Sequence, residues 1–239
     1  MIPRLQKKHK ASNKLKKQLL VERIFSKISS KYDFMNDLMS FGLHRQWKEE
    51  FVNLMEIKNN YMVLDLASGS GDIIKLILNK YNCDCIGFDS SSEMLDEARK
   101  KIKCNQVSFV NGRAEAIPFH DSSFDTITVS FGLRNFSDID LSLKEIKRVL
   151  KKNKKFYCLE FSEINNLVFR KIFNLYSKII PIYGEIILNN KEAYNYLIES
   201  IKMFPAQIEL TNKLLDVGFK NVEVIDILDG IASIHIAES

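Results

Sequence analysis

From Met62 onward the chain alternates short apolar runs with stretches of helical patterning. Met62–Ala67 reads as a buried strand and Asp72–Lys80 as a helix, and Cys83–Asp89 with Glu93–Lys103 repeats the pair. Val107–Gly112, Phe124–Ser130 and Lys155–Glu160 continue the strands, with a helix over Ile139–Leu150 between the last two. An apolar run bounded by turn residues suits a strand covered on both faces. Strands separated by single helices require right-handed crossovers and hence a parallel sheet. The end of the chain breaks this rhythm. Val222–Leu228 and Ile231–Ala237 are separated only by Asp229-Gly230, a hairpin signal that makes the last two strands antiparallel. Residues 20–57 read as helical, and 165–206 as an apolar, aromatic, helical insertion. The expectation is an α/β fold: a mostly parallel seven-stranded sheet, a C-terminal antiparallel hairpin and a helical cap. Neither an internal repeat nor a linker divides residues 21–239, so they read as one domain.

Composition narrows this without redirecting it. An apolar share of 46% and a charged share of 27% over 239 residues are those of a globular chain with a core of ordinary size. The longest apolar stretch, Ile179–Leu188, is broken by Pro181, Gly184 and Glu185, short of the ~18 residues that span a bilayer. Four scattered cysteines form no disulfide framework. Cys83 and Cys85 share a strand face without further ligands at zinc spacing, so a reducing compartment and no structural metal are expected. The net charge of +5 is uneven. Arg4, Lys7, Lys8, Lys10, Lys14, Lys16 and Lys17 put seven basic residues and no acid into residues 1–20, leaving 28 basic against 30 acidic residues in the body. Such an arm reads as a solvated, disordered tail, as a patch for anionic lipid at ~1 kcal/mol per basic residue, or as an RNA contact. It has no apolar core of a secretory signal, and its lysine bias departs from a mitochondrial presequence.

The chemistry begins where the first strand ends, at Asp65-Leu66-Ala67-Ser68-Gly69-Ser70-Gly71-Asp72. Small residues let the backbone pass close beneath a ligand, and the following helix presents free N–H groups. Nucleotide, flavin and nicotinamide sites all use such loops, but the third glycine of a dinucleotide fingerprint falls here on Asp72 or Ile74. Asp65 and Asp72 would repel a pyrophosphate. They suit a ligand with an ammonium and a sulfonium, as S-adenosylmethionine has. Asp89, 18 residues after Gly71 at the tip of the second strand, is placed to accept both ribose hydroxyls, or else caps the next helix in competition with Ser90–Ser92. Arg113 and Ala114 would lie beside the adenine and Ser130 beside the methionine moiety, since ligands sit outside the carboxyl ends of the strands. A parallel sheet closed by an antiparallel hairpin is the Rossmann-like arrangement of class I methyltransferases.

Upstream, Tyr32-Asp33-Phe34-Met35-Asn36-Asp37-Leu38-Met39-Ser40-Phe41-Gly42-Leu43-His44-Arg45-Gln46-Trp47 fits Y-D-x-M-N-x-x-M-S-x-x-x-H-x-x-W at every specified position. In this segment the chain resembles the UbiE/MenG family of ubiquinone and menaquinone biosynthesis C-methyltransferases. Ala114–Phe119 and Ser130-Phe131-Gly132-Leu133-Arg134-Asn135 resemble two further family segments. Another signature is matched at its ends by Arg148–Lys151 and Glu160–Ser162, but Lys152-Asn153-Lys154 stands where the family usually has Pro-Gly-Gly, which puts that turn in question. The resemblance runs from about residue 22 to the C-terminus and leaves the arm outside. It implies methyl transfer from S-adenosylmethionine to a ring carbon of a polyprenylated hydroquinone, demethylmenaquinol or 2-polyprenyl-6-methoxy-1,4-benzoquinol. It further implies donor contacts at Ser70, Asp89, Arg113, Ala114 and Ser130, joined on residue chemistry by Asp65, Gly69 and Gly71.

Carbon methylation needs the phenol, of pKa ~10, to release its proton so that the ring becomes nucleophilic. Arg134, past the fourth strand, would stabilise the phenolate or hold a water that takes the proton; its bland reading is an ion pair with Glu115 or Asp138. His44 and Asp33 are the candidate proton acceptors. Tyr32, Met35, Asn36 and Trp47 serve equally well as core, and His9, His120 and His235 fall in arm, loop and last strand. The insertion either packs on the sheet or walls a tunnel for an isoprenoid tail, and the two are compatible. The expected place is cytoplasmic at the inner membrane face, or the matrix side of the inner mitochondrial membrane in a eukaryote, with a quinone-biosynthesis complex as a candidate partner. A soluble phenol as substrate, an RNA-binding or RNA-methylating role for the arm, and a non-catalytic scaffold are the alternatives.

Overall fold

The computed structural model describes residues 16–21, 23, 24, 26, 37, 40, 42–164, 170 and 191–239. A helical stretch at 16–21 comes first, followed by α1 (Leu43–Asn53), β1 (Met62–Leu66), α2 (Asp72–Lys80), β2 (Asp84–Asp89), α3 (Ser92–Lys101) and β3 (Val107–Asn111). β4 (Phe124–Ser130) leads through a 3₁₀ turn (Leu133–Asn135) to α4 (Ile139–Val149) and β5 (Leu150–Phe161). Then come α5 (Lys191–Lys202), α6 (Gln207–Asp216), β6 (Lys220–Ile227) and β7 (Ala232–Glu238). The seven strands are ordered β3-β2-β1-β4-β5-β7-β6. The first five run parallel, while β7 pairs antiparallel with both β5 and β6.

Period-two alternation in the strands builds a core on each face. Val63, Tyr157, Leu159 and Phe161 join Trp47 and Phe51 of α1 and Ile74 and Ile77 of α2 on one side. Leu64, Leu66, Phe156 and Cys158 join Leu143 and Ile146 of α4 and Leu210 and Leu214 of α6 on the other. Phe51 is fully buried, and truncating such a side chain costs roughly 3–5 kcal/mol. Cys83 and Cys85 lie buried with sulfurs 3.9 Å apart.

Three expectations are corrected. The hairpin loop holds four residues rather than two, because Ile227 pairs with Ala232; Leu228, Asp229 and Gly230 then turn with φ of 47°, 54° and 94°. The fifth strand starts at Leu150, not Lys155. Its register against β4 slips between Phe124–Leu150 and Thr126–Lys155, and Asn153 makes the bend at φ 57°. Asparagine tolerates that left-handed conformation better than most residues, so Lys152-Asn153-Lys154 turns without the family's glycines. Within the arm, finally, Lys16 to Leu20 are helical rather than disordered, and Val21 and Ile24, just past it, are buried. Of the insertion at 165–206, α5 bears out helix; most of the rest, with Tyr32, Asp33, Met35 and Asn36, lies outside the described residues. Among the described residues no helix is long and apolar enough to cross a membrane.

Candidate active site

The site opens where the strand order reverses, between the carboxyl ends of β1 and β4, with β2 alongside. Two loops cross there at minimum spacing. A Cβ built on Gly132 would run into the Cβ of Ala67, so any larger residue forces the loops apart. Gly69 (φ 53°) and Gly71 (φ 86°) turn the chain from β1 into α2 in conformations that side chains resist. The backbone thereby leaves two adjoining hollows.

The larger, about 780 Å³ counting its open mouth, takes Asp89, Arg113, Ala114 and Gly69 as expected, together with Phe88, Met94 and Asn135. Asp89 is not the helix cap. Ser91 caps α3, its Oγ accepting from the Met94 N–H at 3.2 Å. Asp89 instead braces the glycine loop: Oδ2 accepts from the Gly69 N–H at 2.8 Å and Oδ1 from the Ser91 N–H at 2.9 Å. Each carboxylate oxygen keeps a further lone pair for a ligand hydroxyl. Burial raises the Asp89 pKa against those stabilising N–H bonds. Arg113 points its Nη2 to the Ser137 hydroxyl at 2.9 Å and pairs with Glu115.

The smaller hollow, about 350 Å³, holds Asp65, Ser68, Ser70, Asp72 and Ser130. Asp65 is 1% exposed and receives one hydroxyl, from Thr128, at 2.7 Å. Its Oδ2 and the hydroxyls of Ser68 and Ser130 are buried without a hydrogen-bond partner among the described residues. Three orphaned polar oxygens in one hollow carry a cost that a ligand with N–H donors and a positive charge would remove. Burial pushes Asp65 up to about 7, so it is half-ready to give up its charge until a cation arrives. Asp72 behaves oppositely. Burial pushes it up, but Lys48, whose Nζ lies 2.8 Å away, outweighs that and holds it below the usual range. The residues present therefore fit S-adenosylmethionine, with carboxylates for ammonium and ribose. Gly71 lines neither hollow; its place is structural, since a Cβ there would meet Ile102 at 2.7 Å.

The catalytic candidates are placed differently from expectation. Arg134 does not pair with Glu115 or Asp138. It is 4% exposed, forms a buried ion pair with Glu160 at the end of β5, and donates through Nη1 to the Phe131 carbonyl at 2.7 Å. Its Nε is buried without a partner among the described residues. His44 is buried at the start of α1 with Nδ1 2.7 Å from the Ser40 hydroxyl and 3.9 Å from Asp37, and lines neither hollow. Burial, helped by Lys48, drops its pKa to about 4, which leaves it neutral near pH 7. Asp33 lies outside the described residues.

Sequence reasoning missed Lys48, Glu160, Thr128 and Tyr196. The Tyr196 hydroxyl, on α5, reaches the Asn135 side chain at 3.0 Å and joins the cap to the site. Burial pushes that phenol up to about 12. A lysine one turn after His44 on the buried face of α1 was the one available signal for Lys48.

The profile of the ubiE/COQ5 methyltransferase family matches residues 10–239, so the likeness reaches into the arm, further than the expected start near residue 22. The ubiquinone/menaquinone biosynthesis C-methyltransferase UbiE of Rickettsia prowazekii is 46% identical over 233 residues, covering 93% of both chains. The enzyme of the same name from Rickettsia typhi is 47% identical with the same coverage. Among solved structures, a SAM-dependent methyltransferase from Thermotoga maritima superposes with a TM-score of 0.66 at 18% identity, over 90% of this chain and 98% of that one, a likeness of fold.

Proposed function

The chain belongs to the ubiE/COQ5 methyltransferase family, and on that premise we propose that it methylates a polyprenylated quinol at the mouth of the two hollows. It is an S-adenosylmethionine-dependent C-methyltransferase of ubiquinone/menaquinone biosynthesis. The observation that carries the donor reading is the convergence of Asp65 Oδ2, Ser68 Oγ and Ser130 Oγ, none with a partner among the described residues, on one hollow beside Asp89.

When bound, S-adenosylmethionine supplies an electrophilic methyl group on positively charged sulfur. Asp65 answers the ammonium, Asp89 the ribose, and Ser130 the methionine end, while Arg113 and Ala114 flank the adenine. The chain's task toward the quinol is to hold the ring carbon in line with that methyl and favour the phenolate, which positioning and preorganised charge accomplish. Arg134 is the residue for this. Nη1 serves Glu160 and the Phe131 carbonyl, and Nε–H has no partner among the described residues. Arg134 lies beside the hollows rather than in their lining, and a phenolate oxygen or a water that receives the proton would be the acceptor its guanidinium stabilises. Glu160 fixes the guanidinium plane. Neutral His44 is able to accept a proton, yet its bond to Ser40 makes it a brace for the start of α1.

The substrate's isoprenoid tail would leave the site past α5 and bring the protein to the inner face of a membrane. Met203, just past α5, and Ile208, in the first turn of α6, are 84% and 69% exposed and suit such contact. Purified protein incubated with labelled donor and both demethylated quinols should yield a methylated quinol identified by mass. Label transfer to a short soluble phenol in preference to either quinol would overturn the substrate assignment.

A further inference from the structure

We propose that Lys17 is a positioning residue that clamps the 16–21 helix over the larger hollow to the backbone of Arg134 and Phe136, so that pocket closure and ordering of the catalytic loop are one event. The proposal rests on the donor reading above. The Lys17 ammonium lies 2.9 Å from the Arg134 carbonyl and 2.7 Å from the Phe136 carbonyl, across more than a hundred residues of chain. These carbonyls sit at the end of the 3₁₀ turn Leu133–Asn135, where a short helix leaves acceptors unsatisfied. An ammonium with three donors matches them.

The same loop is gripped a second time. Glu115 Oε1 accepts from the N–H groups of Ser137 and Asp138 at 2.7 and 3.2 Å and from the Ser137 hydroxyl at 2.5 Å. An acid thus takes the loop's donors and a lysine takes its acceptors. Burial lowers the Lys17 pKa and the nearby Glu115 carboxylate raises it, so the two grips support each other. Lys17 is moreover the only arm lysine among the described residues that is not exposed; Lys16 beside it faces solvent.

What makes this a clamp rather than a surface bond is the next residue. Gln18 and Val21, on the same helical stretch, line the larger hollow, and Val21 is 8% exposed. Asn135, between the two clamped carbonyls, lines it as well. The helix cannot withdraw to admit or release a donor without breaking the Lys17 bonds, and breaking them frees the backbone that presents Arg134. One basic residue of the arm thereby acts inside the protein rather than on lipid or RNA.

The test uses the full-length chain with S-adenosylmethionine and S-adenosylhomocysteine as probes. Lys17→Met should release S-adenosylhomocysteine about tenfold faster and raise the donor KM with little change in the quinol KM. Lys17→Arg should recover most of this, and Lys16→Met should match the unmodified protein. Hydrogen exchange of the unmodified chain gives a second reading that holds even if Lys17→Met fails to fold. On donor addition, peptides covering 16–24 and 131–138 should gain protection together. Unchanged release from Lys17→Met, or protection of 131–138 without 16–24, overturns the clamp while leaving the donor reading intact. Failure of the unmodified protein to bind either probe overturns both.

Discussion

The carboxyl ends of β1 and β5 each bury an acid at 1% exposure, and the protein treats the two in opposite ways. Glu160, ending β5, is answered from within: Arg134 pairs with it, and the N–H groups of Arg134 and Phe161 donate to it at 3.3 and 3.0 Å. Asp65, near the end of β1, gets a single hydroxyl among the described residues and keeps an oxygen with no partner among them. Burial raises both pKa values, but only Glu160 has a guanidinium pulling back. An ionised carboxylate in a dry interior costs several kcal/mol unless a counter-charge accompanies it. At β5 that counter-charge is part of the chain and permanent. At β1 no cation among the described residues is in contact with the carboxylate: Lys48, in the same hollow, favours its charge only from a distance and is itself paired with Asp72, so room is left for a cation that comes and goes. The difference separates scaffold from binding site more sharply than burial does.

The contrast can be broken at its closed end first. Glu160→Gln strands the Arg134 charge in the core and should cost roughly 3–5 kcal/mol of stability in urea denaturation. A loss below about 1 kcal/mol would mean that the pair is not what holds the guanidinium.

At the open end, Asp65→Asn should weaken donor binding ten- to a hundredfold, about 1.4–2.8 kcal/mol by calorimetry. Its pH dependence has a definite sign. The folded carboxyl has a pKa raised to about 7 above an ordinary value near 4, so the stability it contributes is fully present below about pH 4 and lost as the pH rises through 7. Donor binding requires the charged form, so the unmodified protein should bind more weakly as the pH falls below about 7. The Asp65→Asn variant should lose that step in both stability and affinity, and a retained step would assign the titration to another group.

The smallest effect is expected where the two ends grade into each other. Thr128 lends Asp65 the single bond that favours its charged form. Thr128→Val should move the midpoint of the donor-affinity profile upward by less than about one pH unit, consistent with a net hydrogen bond of about 1 kcal/mol. A downward shift would reverse the assigned direction of that bond.

Much of the lining of the two hollows was legible because its markers are local. Asp65, Gly69, Ser70 and Asp89 sit at strand ends fixed by apolar runs and a glycine turn, and the rule that ligands gather at those ends needs no knowledge of packing. The substrate half was read less well. Arg134 falls at the expected end of the sheet, but the ion pair offered as its alternative reading forms with Glu160 rather than Glu115 or Asp138, because the three acids are equivalent on paper. The hairpin signal Asp229-Gly230 was strong enough to set the antiparallel ending and too coarse to count its loop. Lys17 was assigned to a solvated arm because a run of like charges normally stays in water.

The sequence by itself determined the order of the seven strands, most of the helices between them, the glycine loop and the acids at the strand ends, since each follows from neighbours a few residues away. Only the tertiary structure decided that Lys17 reaches Arg134, that Lys48 reaches Asp72 and that Glu160 rather than Glu115 takes the guanidinium. Those choices rest on which elements the sheet order brings within about 3 Å of one another. Charge pairing has no period along the chain from which that proximity can be read.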